Sequence, residues 1–292
     1  LMETDPKVSL TLANAVFYRL GFEVKPPFLQ VMDTDFDAHI EGLDFGLPSA
    51  IDVINTWASD NTRNKITEVI QEISPNTVMF LMNALYFKGN WTHQFDVSET
   101  RDMAFSLSDG SQVQVPTMVG QMNVRTQFGE DYDVLELPYG RTNFSMIVLV
   151  PSDPLQSFYS EFTAETWDQL SAYFDEQAVQ AETMVMLPKF SFAYEKILND
   201  ELKRMGMVDA FDNRADLSMI SDESLFVSFV KQDTFVEVNE EGTEAAAVTT
   251  IAIDRYSFGP AVFAVNKPFI FAIRERTTNT LLFIGSVTNP LN

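Results

Sequence analysis

Apolar positions along this chain recur at two spacings, and the spacing changes from segment to segment. Most positions between Ser9 and Tyr18 are apolar, which predicts a strand. Pro26 and Pro27 supply a helix start, and the helix is expected to run through Met32. Ile51, Ile54, Trp57 and Ala58 fall at helical spacing behind Ser49, a residue type that caps helix N-termini, so a second helix is predicted to about Thr62. Thr77 to Phe87 (TVMFLMNALYF) is apolar almost throughout, the pattern of a strand buried on both faces inside a large sheet. Asn83 is its one strongly polar residue and needs a hydrogen-bond partner there.

Further strands are predicted near Val113–Val115, Asp133–Leu137 and Phe144–Val150, the last two flanking a turn at Pro138 to Asn143. A helix is expected over Ala164 to Ala178, a strand over Met184–Leu187, and a helix over Ile197–Met205 stopped by Gly206. Leu225 to Val238 reads as one long strand, and Phe269–Ile273 and Leu281–Val287 as two more. Strands cluster and helices interleave without a strict strand–helix alternation. That predicts an α+β fold with large mixed β-sheets and surrounding helices.

One segment does not match its position. Glu240 to Pro260 (EEGTEAAAVTTIAIDRYSFGP) lies between two predicted strands, where a loop is expected, yet Thr243 to Ile253 holds no Gly, no Pro and one charge, Glu244. Unstructured loops of this length are uncommon and are usually functional. Read with period two, one face carries Thr243, Ala245, Ala247, Thr249, Ile251 and Ile253, and the other keeps its charges at its ends, Glu244 and Asp254. The first face is small at its start, so the segment could slide into a packed sheet as a strand. Glu240, Glu241 and Gly242 precede it as a charged, flexible pivot. By pattern alone, an Ala-rich surface helix or an ordinary exposed loop is an equal reading. An exposed, uncharged, β-prone stretch is an aggregation hazard, however, and its retention implies a use.

Composition narrows the function classes. The net charge is −23, from 42 acidic and 19 basic residues, which disfavours nucleic acid and anionic membranes as partners and favours solubility. Without cysteine there is no disulfide, thiol nucleophile or Cys-ligated zinc. No run of about 18 apolar residues predicts a membrane-spanning helix. The two histidines, His39 and His93, are the only bases for a serine triad, and no Gly-x-Ser-x-Gly motif accompanies them. Gly-rich phosphate loops and metal-ligand clusters are also lacking, so neither an enzyme nor a cofactor is expected. Asn90-Trp91-Thr92 and Asn143-Phe144-Ser145 are formal glycosylation sequons of a kind that arises often by chance.

Several blocks, in order along the chain, resemble the serpins. They are Ile54-Asn55 with Trp57, Thr62, Lys65 and Ile66; Thr77 to Trp91; Leu187-Pro188-Lys189-Phe190; Gly206-Met207 with Ala210-Phe211; and Ala215 to Ser218. Val238 to Ala247 is similar to the hinge of inhibitory members, and Asn266 to Phe269 with Phe283 to Pro290 is similar to the C-terminal signature. The resemblance implies a single serpin domain over residues 1–292 with an exposed reactive centre loop at about 240–260. It also implies that the family's N-terminal helices lie outside this chain, which starts at Leu1 and shows no signal-peptide pattern.

The function implied is suicide inhibition of a serine protease, with the alternative of a non-inhibitory carrier, chaperone or storage protein. A target protease attacks the loop, an acyl-enzyme forms, and the freed hinge inserts as a new strand. Gly242 to Tyr256 would span about 46 Å at roughly 3.3 Å per residue. Small residues on the inserting face, Thr243, Ala245 and Ala247, favour inhibition over the alternative, with Glu240, Glu241, Gly242, Glu244 and Ala246 completing the hinge. Hinge length sets the cleaved bond at Tyr256–Ser257, for a chymotrypsin-like or subtilisin-like protease. Arg255–Tyr256 is the competing bond, for a trypsin-like one. Asn83, Trp91, Lys189 and Gln232 match positions that control sheet opening. Lys189 is expected to pair with Glu240, and Gln232 stands where many members have a histidine bonded to the residue matched by Asn83. An extracellular or periplasmic location goes with this reading, with a cytoplasmic one as the alternative.

Overall fold

In the computed structural model, residues 5–176, 178–242 and 260–291 are described. Thirteen strands and five helices follow one another along them. In order they are β1 (Val8–Arg19), α1 (Pro26–Thr34), β2 (Ala38–Leu43), α2 (Ser49–Asn61), β3 (Met79–Gly89), β4 (Arg101–Ser106), β5 (Gln112–Phe128), β6 (Tyr132–Tyr139) and β7 (Phe144–Pro151). After them come α3 (Leu155–Glu161), α4 (Ala164–Glu176), β8 (Gln180–Pro188), β9 (Phe190–Ile197), α5 (Asn199–Arg204), β10 (Lys231–Val238), β11 (Ala261–Ala264), β12 (Phe269–Glu275) and β13 (Thr280–Val287). The chain divides into two compact units. Unit 1 comprises Leu1–Ser9, Phe87–Phe192 and Val236–Asn292; unit 2 comprises Leu10–Tyr86 and Ala193–Phe235.

Unit 1 is built on one mixed sheet in the order β11-β8-β5-β6-β7-β12-β13, with β4 paired to β5. Every residue of β7 and of β12 is buried. α3 and α4 close one face through Leu155, Phe158, Leu170 and Phe174, packed on Val134, Ile147, Leu149, Ile270 and Ala272. Below that layer lies a buried ionic network. Arg274 is 0% exposed and Glu136 1%. Arg274 donates to both carboxylate oxygens of Asp175 at 2.8 Å and to Glu136 at 3.0 Å, and Glu136 also accepts from Arg125 at 3.0 Å and Ser145 at 2.9 Å. Charges this deep persist only when paired and hydrogen-bonded.

Unit 2 contains most of the sheet β2-β1-β3, in which β1 and β2 run parallel. α2 packs Ala50, Ile54 and Ala58 on Ala15, Phe17 and Phe80. β9 and β10 form a separate two-stranded sheet, so among the described residues β3 and β10 each end a sheet with one edge unpaired.

Several expectations need correction. Thr77 to Phe87 is not buried on both faces: Leu81 is 57% exposed and Asn83 is exposed, because β3 is a terminal strand rather than a central one. Ser49 is the first helical residue of α2, not its cap; Pro48 holds the cap position and no side chain caps the helix. The long strand expected from Leu225 begins only at Lys231. Before it, the Asn199 side chain donates to Ser228 O and accepts from Val230 N, which takes these groups out of a ladder. The helix expected from Ile197 starts at Asn199, since β9 runs through Ile197. It stops at Gly206 (φ +102°), whose left-handed backbone lets Met207 N reach Leu202 O.

Candidate functional site

The predicted site residues fall in two places. The first is in unit 1, where the chain leaves β10. Asn239 and Gly242 exchange backbone hydrogen bonds of 2.9 and 3.1 Å in a tight turn, and Gly242 bridges Asn90. Gly242 has φ +127°, and a Cβ there would collide with Gly89 O and approach Trp91 N. Only glycine fits such a position without strain.

Trp91 organises this turn. It is 2% exposed, stacks on Tyr139 at 4.4 Å, and donates its indole Nε1–H to Asn239 O at 3.0 Å. Its backbone N–H donates to Glu241 O at 2.8 Å, Gln94 Nε2 reaches the same oxygen at 3.3 Å, and Phe95 N donates to Glu240 O at 2.9 Å. The Glu240 side chain, 6% exposed, sits between Lys189 (2.9 Å to Oε2, 3.0 Å to Oε1) and the Thr100 hydroxyl (2.7 Å). Burial works against its charge, but the hydrogen bonds from Lys189 and Thr100 outweigh that and hold the carboxyl below its ordinary pKa.

The second place is in unit 2. A cavity of about 640 Å³ lies along the facing stretches Val78–Ala84 and Ser224–Asp233, and is covered by Trp57, Thr62, Ile66, Val69 and Ile70. It is an open slot bordered by the unpaired edges of β3 and β10. Asn83, which lines it, donates to Asn14 Oδ1 at 2.9 Å and Ala13 O at 3.4 Å. Gln232 is exposed, and no hydrogen bond joins it to Asn83. Thr243, Glu244, Ala245, Ala246 and Ala247 of the hinge, and the bond residues Arg255, Tyr256 and Ser257, lie outside the described residues.

Three contacts of the connector between α2 and β3 were not legible as motifs: Arg63 over the Tyr86 ring, Lys65 over the Phe235 ring, and Val69 O with Lys231, the last pair lining the cavity. Their partners are 23 to 170 positions apart in the chain, and only folding brings them together.

A mixed α+β fold in which, among the described residues, β3 and β10 each leave one edge unpaired defines a protein class, and comparison with known proteins agrees with it. The model of the family described as serpin (serine protease inhibitor) matches residues 1–290. The chain is 36% identical to Iripin-3 of Ixodes ricinus over 98% of its own length and 75% of that protein's. It is 35% identical to neuroserpin of Homo sapiens over 96% of its own length and 71% of that protein's. Among solved structures, the thermophilic serpin tengpin in its native state superposes with a TM-score of 0.87 at 28% identity, covering 99% of this chain and 75% of tengpin. Thyroxine-binding globulin in complex with thyroxine also gives 0.87, at 27% identity, covering 99% of this chain and 78% of the globulin. The chain belongs to the serpin family, whose members are protease inhibitors or non-enzymatic carriers rather than catalysts.

Proposed function

We propose that this serpin is a suicide-substrate inhibitor of serine proteases, with Tyr256–Ser257 as the bond attacked. The observation that carries the reading is the slot, two unpaired strand edges facing a cavity of about 640 Å³; the sequence after Gly242 adds a stretch whose small and apolar residues alternate with period two. Unpaired edges are templates for strand addition.

The chemistry belongs to the protease. Its serine Oγ attacks the Tyr256 carbonyl, the Tyr256–Ser257 bond breaks, and the Ser257 amine leaves with the proton carried by the protease histidine. An ester then joins the protease serine to Tyr256. The freed segment adds to β3 and β10 before water hydrolyses that ester. Tyr256 suits a chymotrypsin-like or subtilisin-like protease; attack at Arg255–Tyr256 would instead suit a trypsin-like one. Glu240, Lys189 and Trp91 hold the pivot, and Asn83 and Gln232 border the strands that must part. Thr243, Ala245 and Ala247 are small enough to insert without overpacking.

Ala245→Glu tests this reading, because a carboxylate cannot be buried unpaired in the inserted strand. The parent should give a protease complex that survives denaturation, and the variant mainly cleaved chain. Equal complex formation by both would rule out insertion through this face. A carrier function like that named for thyroxine-binding globulin predicts cleavage without a complex for both chains.

A further inference from the structure

We infer that Asp5 is a positioning residue for the hinge: its buried carboxylate clips the β6–β7 turn shut against the end of β3, and that closed turn keeps Gly242 in place. The inference rests on the insertion reading above and names a residue that sets how fast insertion starts.

Asp5 lies just before β1 and is 4% exposed. Its two carboxylate oxygens hold different segments. Oδ1 accepts from Lys7 N at 2.9 Å and folds its own segment into a turn. Oδ2 accepts from Arg141 N, in the β6–β7 turn and 136 positions away. That turn is shaped for the contact. Gly140 has φ +49°, and a Cβ there would overlap the Asp5 carboxylate. Thr142 is also left-handed, at φ +77°, a conformation that a β-branched residue keeps only where its surroundings impose it.

The clip reaches the hinge through residues 90–92, which follow β3. Asn90 N donates to Lys7 O at 3.0 Å, and Asn90 O accepts from Gly140 N at 2.8 Å. Thr92 donates its N–H to Pro138 O and its hydroxyl to Gly140 O, both at 2.8 Å. These residues are therefore fixed between the Asp5 segment and the turn. They also carry the hinge: Asn90 bridges Gly242, and Trp91 donates its N–H to Glu241 O and its indole N–H to Asn239 O. Tyr139 of the turn stacks on the Trp91 ring. All of these groups belong to unit 1. Releasing the Arg141 N–H loosens the turn, and with it the backbone on which Gly242 is held.

Asp5→Asn in the full chain tests this. An amide offers one acceptor oxygen where the carboxylate offers two, so the variant keeps the local bond to Lys7 and loses the one to Arg141. Hydrogen exchange is read at the Trp91 and Gly242 amides, with β12 as the internal reference. Insertion is read as the rate at which tryptophan fluorescence settles after excess chymotrypsin cuts the loop. Both should rise about fivefold to tenfold in the variant, with β12 unchanged. Arg141→Ala removes an exposed side chain but keeps the backbone N–H, and should match the parent. Parent-like exchange and insertion in Asp5→Asn would overturn the positioning role. So would an Arg141→Ala chain that behaves as Asp5→Asn does, because the guanidinium rather than the backbone bond would then be the contact. A parent that is cut without trapping the protease would overturn the inhibitor reading, while faster Trp91 and Gly242 exchange in Asp5→Asn would still support the clip.

Discussion

Two apolar strands of this molecule, β7 and β3, have similar composition and opposite surroundings. In β7 (FSMIVLVP) all eight residues are buried, with β6 laddered on one edge and β12 on the other. In β3 (MFLMNALYFKG) buried and exposed residues mix, and one edge has no strand beside it among the described residues. The difference lies in what borders each strand rather than in its hydrophobicity. β7 is satisfied on both edges and needs nothing more. β3 retains the hydrogen-bonding capacity and the adjoining cavity that a further strand would use.

The two carboxylate clusters repeat this contrast, and perturbing them gives the sharpest tests. The largest effect is expected at the permanent site. Arg274→Met removes the fully buried one of the two cations that Glu136 and Asp175 share, leaving Arg276, and should cost about 3 kcal/mol in denaturant unfolding. The same network predicts an acid dependence. The Asp175 carboxyl is lowered, with burial raising it and the hydrogen bonds and charges of Arg274 and Arg276 outweighing burial. Its stabilising contribution is therefore complete above the ordinary carboxylate range and fades as pH falls through its lowered value. Titrating unfolding stability in the parent and in Asp175→Asn would show this slope shrink in the variant.

A middle-sized effect is expected at the pivot. Gly242→Ala forces a Cβ toward Gly89 O at φ +127° and should cost about 2 kcal/mol, with faster exchange of the Trp91 amide. The smallest belongs to the tether. Glu240→Gln removes the charge facing Lys189 but keeps an acceptor for Thr100, so the loss should be about 1 kcal/mol. Because the Glu240 carboxyl is also lowered, the tether should hold at neutral pH and weaken only in acid, as pH falls through its lowered value. In the Gln variant, the rate of proteolytic cleavage after Gly242 should no longer change over that interval.

The α+β class and the elements with strong periodicity were readable from sequence: β1, α1, α2, α4, β7, β12 and β13 lie where the apolar spacing sets them. β2, β4, β9 and β11 were missed. β4 and β11 are short, and β2 and β11 earn their places by parallel pairing with distant strands, β1 and β8. The true edges of β3 and β10 were equally hidden, since a run such as TVMFLMNALYF reads the same with one neighbour or two. At the site, the stretch after Gly242 stands out by composition but lies outside the described residues, while the Lys189–Glu240 pair, expected from family resemblance, is formed. The connector contacts at Tyr86, Phe235 and Lys231 were not legible, because aromatic and basic residues are ordinary until folding places one over the other.

The central claim is that the segment after Gly242 is bait that inserts once cut. The most direct measurement is to mix the protein with chymotrypsin and, separately, with trypsin, then identify the products by denaturing gel and mass spectrometry. The account predicts a covalent complex with chymotrypsin that survives denaturation, together with a released C-terminal peptide beginning at Ser257; a peptide beginning at Tyr256, with trypsin trapped instead, would move the bond to Arg255. Clean cleavage by every protease tried, with no complex, would contradict the account.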